Sequence, residues 1–134
     1  MKTNNQIYSD IVFDKIQTLV NDKGEESKSI KKYKSLNKRA GGILRTVGLI
    51  SFLTFLASKA KKDSEIHHQY LLDHLMEELA KLKIILAKNQ KDFLDKICKQ
   101  ELPDYMRTTI AILKLLQWHK RISDILISGT VEED

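Results

Sequence analysis

Residues 27–40, SKSIKKYKSLNKRA, decide the fold. Wound at 100 degrees per residue, the segment places Ile30, Tyr33, Leu36 and Ala40 within one arc and Lys28, Lys31, Lys32, Lys34, Lys38 and Arg39 on the opposite half. A charge run whose apolar residues share one face is an amphipathic helix backed onto a core, so its cations form a rigid platform. Ser27 is placed to cap it, and Tyr33 is read as packing inward rather than as an exposed base-stacking ring.

The same pattern extends to both sides. Upstream, Tyr8, Ile11, Val12, Ile16, Leu19 and Val20 recur at three- and four-residue steps, a first helix ending near Asn21 or Gly24. Downstream, Gly41-Gly42 is expected to turn or kink the chain before an apolar helix from about Ile43 to Lys59, which is expected to occupy the centre of the bundle. The apolar run 46–58 spans 13 residues, short of the roughly 20 that a membrane helix requires. A long helix opening at Asp63 or Ser64 has Ile66, Tyr70, Leu72, Leu75, Met76, Leu79, Leu82 and Leu86 as its buried stripe. Phe93, Leu94, Ile97 and Cys98 mark a shorter helix, with Cys98 as a small core residue. Pro103 fits the first turn of a last helix whose inner face holds Tyr105, Ile112, Leu115, Leu116, Trp118, Ile122, Ile125 and Leu126. Gly129 is expected to end it, before an acidic tail.

These elements predict an all-α, compact single-domain bundle of about five to six helices over residues 1–134, with residues 1–5 and 129–134 as mobile tails. One proline and five glycines in 134 residues leave few helix breakers. The lone cysteine excludes an internal disulfide framework. Residues 1–6 are polar and no apolar signal segment follows them, which predicts a cytoplasmic protein.

Charge narrows the function. Between Ser27 and Lys62 there are ten lysines and arginines and no carboxylate, whereas the other 98 positions carry 13 basic and 18 acidic residues. A molecule polarised in this way attracts a polyanion more strongly than its net charge of +5 suggests. No nucleophile motif, phosphate-cradling glycine loop or distinctive carboxylate pair accompanies the basic face, so an enzyme is not expected. His67 and His74 lie seven residues apart, about 10.5 Å along a helix, too far to share one ion. The histidines are read as solvated, and neither a metal nor a cofactor is expected. Without exposed aromatic platforms, contacts to the nucleic-acid backbone are favoured over base reading.

A further pattern lies in the order of features. Tyr33, Leu36, Arg39-Ala40, Ile43, Val47-Gly48-Leu49, Phe52-Leu53, Leu56 and Ser58-Lys59 resemble the core of the small helical subunit of type III-B CRISPR RNA-silencing (Cmr) effector complexes. Tyr105, Thr109, Leu113, Leu116, Trp118 and Lys120-Arg121 are similar to that family's ending. The resemblance runs from about Tyr8 to Ile127. It departs at Gly41-Gly42, where the family often has Leu-Pro, and at His119, which stands in place of a usual leucine and is expected to make that patch more polar. It implies a non-catalytic subunit in antiviral defence whose partners are crRNA and target RNA, other subunits of the effector complex and further copies of itself in a filament, with no membrane. The residues expected to meet RNA are Lys28, Lys31, Lys32, Lys38, Arg39, Arg45 and Lys59, with Lys114, Lys120 and Arg121 as a second contact. Two other readings compete. A DNA-binding regulator would need polar base-reading residues after Gly41-Gly42, where the chain is apolar. A basic-faced interaction module would bind an acidic protein or anionic vesicles rather than RNA.

Overall fold

In the computed structural model, which describes residues 1–129, the chain forms α1 (Asn4–Lys23), α2 (Lys28–Val47), α3 (Leu49–Lys59), a 3-10 turn (Asp63–Glu65), α4 (Ile66–Lys81), α5 (Gln90–Cys98) and α6 (Leu102–Leu126). No strand occurs among the described residues. The acidic tail, Glu132 to Asp134, lies outside them. Thr3 caps α1 through a reciprocal capping box with Gln6, so helix begins inside the stretch read as a tail. The phasing of the amphipathic segment holds: Ile30, Tyr33, Leu36 and Ala40 have no exposed surface.

Gly41-Gly42 does not break the chain. α2 runs through both residues and ends at Gly48, whose φ of 87° forms the joint with α3. Each glycine costs a helix about 1 kcal/mol relative to alanine, but buried Ala40 and Leu44 anchor the turns on either side. A Cβ at Gly42 would meet nothing within 4 Å. Gly42→Ala is therefore expected to stabilise the protein by about 0.5–1 kcal/mol, whereas Gly48→Ala, forced into a left-handed conformation, should cost about 1–2 kcal/mol. Urea unfolding of the two variants checks this, and a destabilising Gly42→Ala would contradict a continuous α2.

The centre of the bundle is α4, not the apolar α3. α4 packs against α1, α2, α3, α5 and α6, while α3 touches chiefly α2, α4 and α5. α3 turns Ser51, Thr54 and Ser58 outward, since three- and four-residue spacing gives even this apolar segment a polar side. α4 ends at Lys81, earlier than its stripe suggests, so Leu86 is exposed and Ile85 is buried instead. Three other inward assignments are corrected: Cys98 is exposed beside buried Ile97, Ile125 is exposed, and Trp118 is only half-buried while its neighbour His119 is in the core. Pro103 lies in the first turn of α6 as expected, and α6 ends at Leu126 rather than at Gly129.

Candidate nucleic-acid interface

α2 and α6 pack side by side, and the groove between them collects cations from both. Lys38, Gly41, Gly42 and Arg45 follow one another at helical spacing on α2; Gln117, Lys120, Arg121 and Asp124 face them from α6. The groove holds about 500 Å³. Its four cations face one carboxylate, Asp124. The glycines act here in a way the sequence does not announce: neither adds a side chain to the groove, so the Arg45 guanidinium folds close to Gly41, within 3.6 Å of where a Cβ would stand, and the helix surface at Gly42 is open. Arg121 is held over the Trp118 ring at 5.3 Å, a cation–π contact that fixes its guanidinium beside the groove. The expected second contact thus joins the first, in part.

The other basic residues divide. Lys32, Arg39 and Lys59 surround His67: their charges add to burial, the largest cause, in pushing its imidazole down to about 4, while Glu65 opposes them. Lys32 Nζ also donates to the Ser64 carbonyl at 3.2 Å. This second cluster joins the start of α2 to the end of α3, so the acid-free window makes two patches. Lys28 is exposed, and Lys31 pairs with Glu26 at 3.1 Å. Lys34, placed by phasing on the solvent half, is instead 8% exposed and lies near Glu25 of the α1–α2 turn. Lys114 joins neither patch; it borders a depression with Tyr8, Ile84, Met106 and Ile110. On another face, Asp10, Asp14, Asp22 and Glu77 line a groove of about 780 Å³ with Lys15 and Lys81, where Lys15 pairs with Glu77.

All four histidines are buried, contrary to the solvated reading. Burial pushes His74 down to about 3. Its Nδ1 lies 2.6 Å from the Tyr33 hydroxyl, which lies 3.0 Å from His119 Nδ1; His119 Nε2 donates to the Glu78 carboxylate at 2.8 Å. Tyr33, Glu78 and His119 have no exposed surface. With His119 charged against Glu78, both of its ring nitrogens donate, so Tyr33 accepts from His119 Nδ1 and donates to His74 Nδ1. Burial raises the Glu78 carboxyl, and the His119 charge and hydrogen bond lower it. Beside this network Asn37 Nδ2 donates to Ser123 Oγ at 2.7 Å and Ser123 Oγ to the His119 carbonyl at 2.5 Å, joining α2 to α6 beneath the basic groove. His119 therefore tightens the interior rather than making a surface patch polar. Nothing local in the sequence announces the pair, because 41 residues separate Glu78 from His119; the departure from leucine at 119 is the one signal.

The model of the family described as CRISPR-associated protein (Cas_Cmr5) matches residues 4–126. Among solved structures, the X-ray crystal structure of a CRISPR-associated Cmr5 family protein from Thermus thermophilus is similar, with a TM-score of 0.74 over 95% of this chain and 100% of that one. At 19% identity, that likeness concerns the fold. A search of curated proteins finds no match.

Proposed function

The chain belongs to the CRISPR-associated Cmr5 family, the small subunit of type III-B effector complexes, and from that membership we propose that it is a non-catalytic subunit supporting the crRNA/target RNA duplex through its backbone. The observation that carries this reading is the convergence of Lys38, Arg45, Lys120 and Arg121 on one groove that Gly41 and Gly42 line without side chains of their own. A subunit that serves any guide must not read bases. Phosphates and ribose are what all A-form duplexes share, and base pairing supplies the sequence. Cations on rigid helices suit that task, because little side-chain scaffolding must be ordered on binding.

Association with other Cmr subunits follows from the family. Leu102, Met106 and Ile110 are exposed at four-residue steps along α6, an apolar stripe suited to a neighbouring subunit. Copies stacked along the duplex would repeat the basic groove, and the carboxylates of the α1–α4 groove would meet basic surfaces of neighbours. Among the described residues no helix is long and apolar enough to cross a membrane.

The double variant Lys38→Glu/Arg121→Glu tests the groove in the assembled complex. Removing two phosphate contacts should weaken RNA binding about tenfold or more at moderate salt and flatten the salt slope by about 2, with no preference among guide sequences. Affinity and slope equal to those of the unaltered complex would remove the groove from the mechanism.

A further inference from the structure

Glu65, His67 and His68 meet where the 3-10 turn gives way to α4. One Glu65 carboxylate oxygen lies 3.5 Å from His67 Nε2 and 3.1 Å from His68 Nδ1. A ligand atom from each residue falls within 4.8 Å of the other two. Around a tetrahedral zinc ion with ligands at about 2.0–2.1 Å, neighbouring ligand atoms stand roughly 3.3 Å apart. Two of the three edges already have nearly that length. The rings lie 4.3 Å apart at 45°, and the third pair of ligand atoms, within 4.8 Å, has to close to that length when an ion binds.

We propose that Glu65, His67 and His68 form a site for a borderline divalent ion such as Zn²⁺, with water in the fourth position. Two imidazoles and one carboxylate suit Zn²⁺ or Co²⁺, whereas Mg²⁺ and Ca²⁺ require oxygen ligands. Both histidines are buried, which limits their motion, and the partly exposed Glu65 leaves a path for the ion. His68 Nδ1 also lies 3.1 Å from the Glu65 carbonyl, so without metal it donates a proton there; to ligate, the neutral ring shifts that proton to Nε2. A bound ion would tie the 3-10 turn to α4 directly after the Lys59, Lys61, Lys62 run, fixing that segment as well as adding charge to it.

The surroundings give the site a fingerprint. Lys32, Arg39 and Lys59 act on His67 against Glu65, and their positive charge repels a dication. Screening weakens that repulsion, and affinity should hold or rise with salt. Ions gathered by the exposed carboxylates of the α1–α4 groove behave in the opposite way.

The test is a titration of chelator-treated full-length protein with Co²⁺, followed by displacement with Zn²⁺, in a Cys98→Ser background because the exposed thiol is a competing ligand. One equivalent should develop a saturable visible absorption that Zn²⁺ removes. Glu65→Gln, with folding verified by circular dichroism, should weaken binding about tenfold or more; His68→Gln serves as the second variant. Absence of a saturable signal, an affinity left unchanged by Glu65→Gln, or an affinity that falls with salt would each overturn the assignment. No RNA enters the measurement, so its outcome is independent of the duplex-binding reading.

Discussion

His119→Leu is expected to destabilise the protein by about 3–5 kcal/mol, because it leaves the Glu78 carboxylate buried without its partner. Both side chains have no exposed surface, and His119 Nε2 reaches both carboxylate oxygens, at 2.9 and 2.8 Å. Withdrawing such charges from water costs several kcal/mol, which their mutual attraction offsets only while both are present. The double variant Glu78→Leu/His119→Leu should therefore recover most of the loss, since an apolar pair of similar volume fills the same space. A pH series adds a second signature. Without His119, burial raises the folded-state pKa of Glu78 further above its unfolded value, and a raised carboxyl pKa gives stability that is present at low pH and lost as pH rises through the folded value. The gap between variant and parent should accordingly narrow as pH falls from about 7 to 5. Urea midpoints measure both effects. A single variant costing less than about 1 kcal/mol, or a double variant no better than the single, would show that no ion pair operates in the core.

The same pair marks the boundary of what the sequence makes legible. Amphipathic phasing is a local property, and it located α1, the apolar face of α2 and the start of α6 correctly while placing buried Lys34 outside. On α4 it found the helix and its leucine stripe but missed how central the element is, because His67, His68, His74 and Glu78 look like a solvent face until their partners are known. Those partners lie on other helices or at the preceding turn, and composition alone cannot tell a paired polar residue from a hydrated one. Apolar content misled in the opposite direction for α3, where Ser51, Thr54 and Ser58 suffice to make an outer side. The basic groove was half legible. Lys38 and Arg45 lie at seven-residue spacing on one helix, but their meeting with Lys120 and Arg121 is a packing event between segments some 80 residues apart. Gly41-Gly42 shows the limit of punctuation rules: the residues that favour a turn also permit close approach to a helix, and tertiary packing selects which.

Tyr33→Ala is expected to cost about 3–5 kcal/mol, the usual loss for deleting a fully buried aromatic ring. Tyr33 packs edge-on against Tyr70, His74 and His119 at centroid distances of 6.3, 5.5 and 6.2 Å, so truncation opens a cavity where α2, α4 and α6 meet. Burial, followed by the Glu78 charge, raises the Tyr33 phenol well above its ordinary value, so it acts only as a neutral hydroxyl between the two rings. Tyr33→Phe retains the ring and removes that hydroxyl, leaving two imidazole nitrogens without their shared partner; a loss of about 1–3 kcal/mol is expected. The conservative variant also separates packing from RNA binding. A base-stacking tyrosine presents its ring to the nucleic acid, and Phe would keep that contact while Ala would lose about 1–3 kcal/mol of binding per base. An interior tyrosine instead couples to RNA only through the fold. RNA affinity and salt slope of the complex should therefore be unchanged in Tyr33→Phe despite its lower urea midpoint, and weakening in Tyr33→Ala should disappear when binding is measured under conditions where the variant is fully folded. Weaker RNA binding by a fully folded Tyr33→Ala would put the ring at the interface and overturn its place in the core.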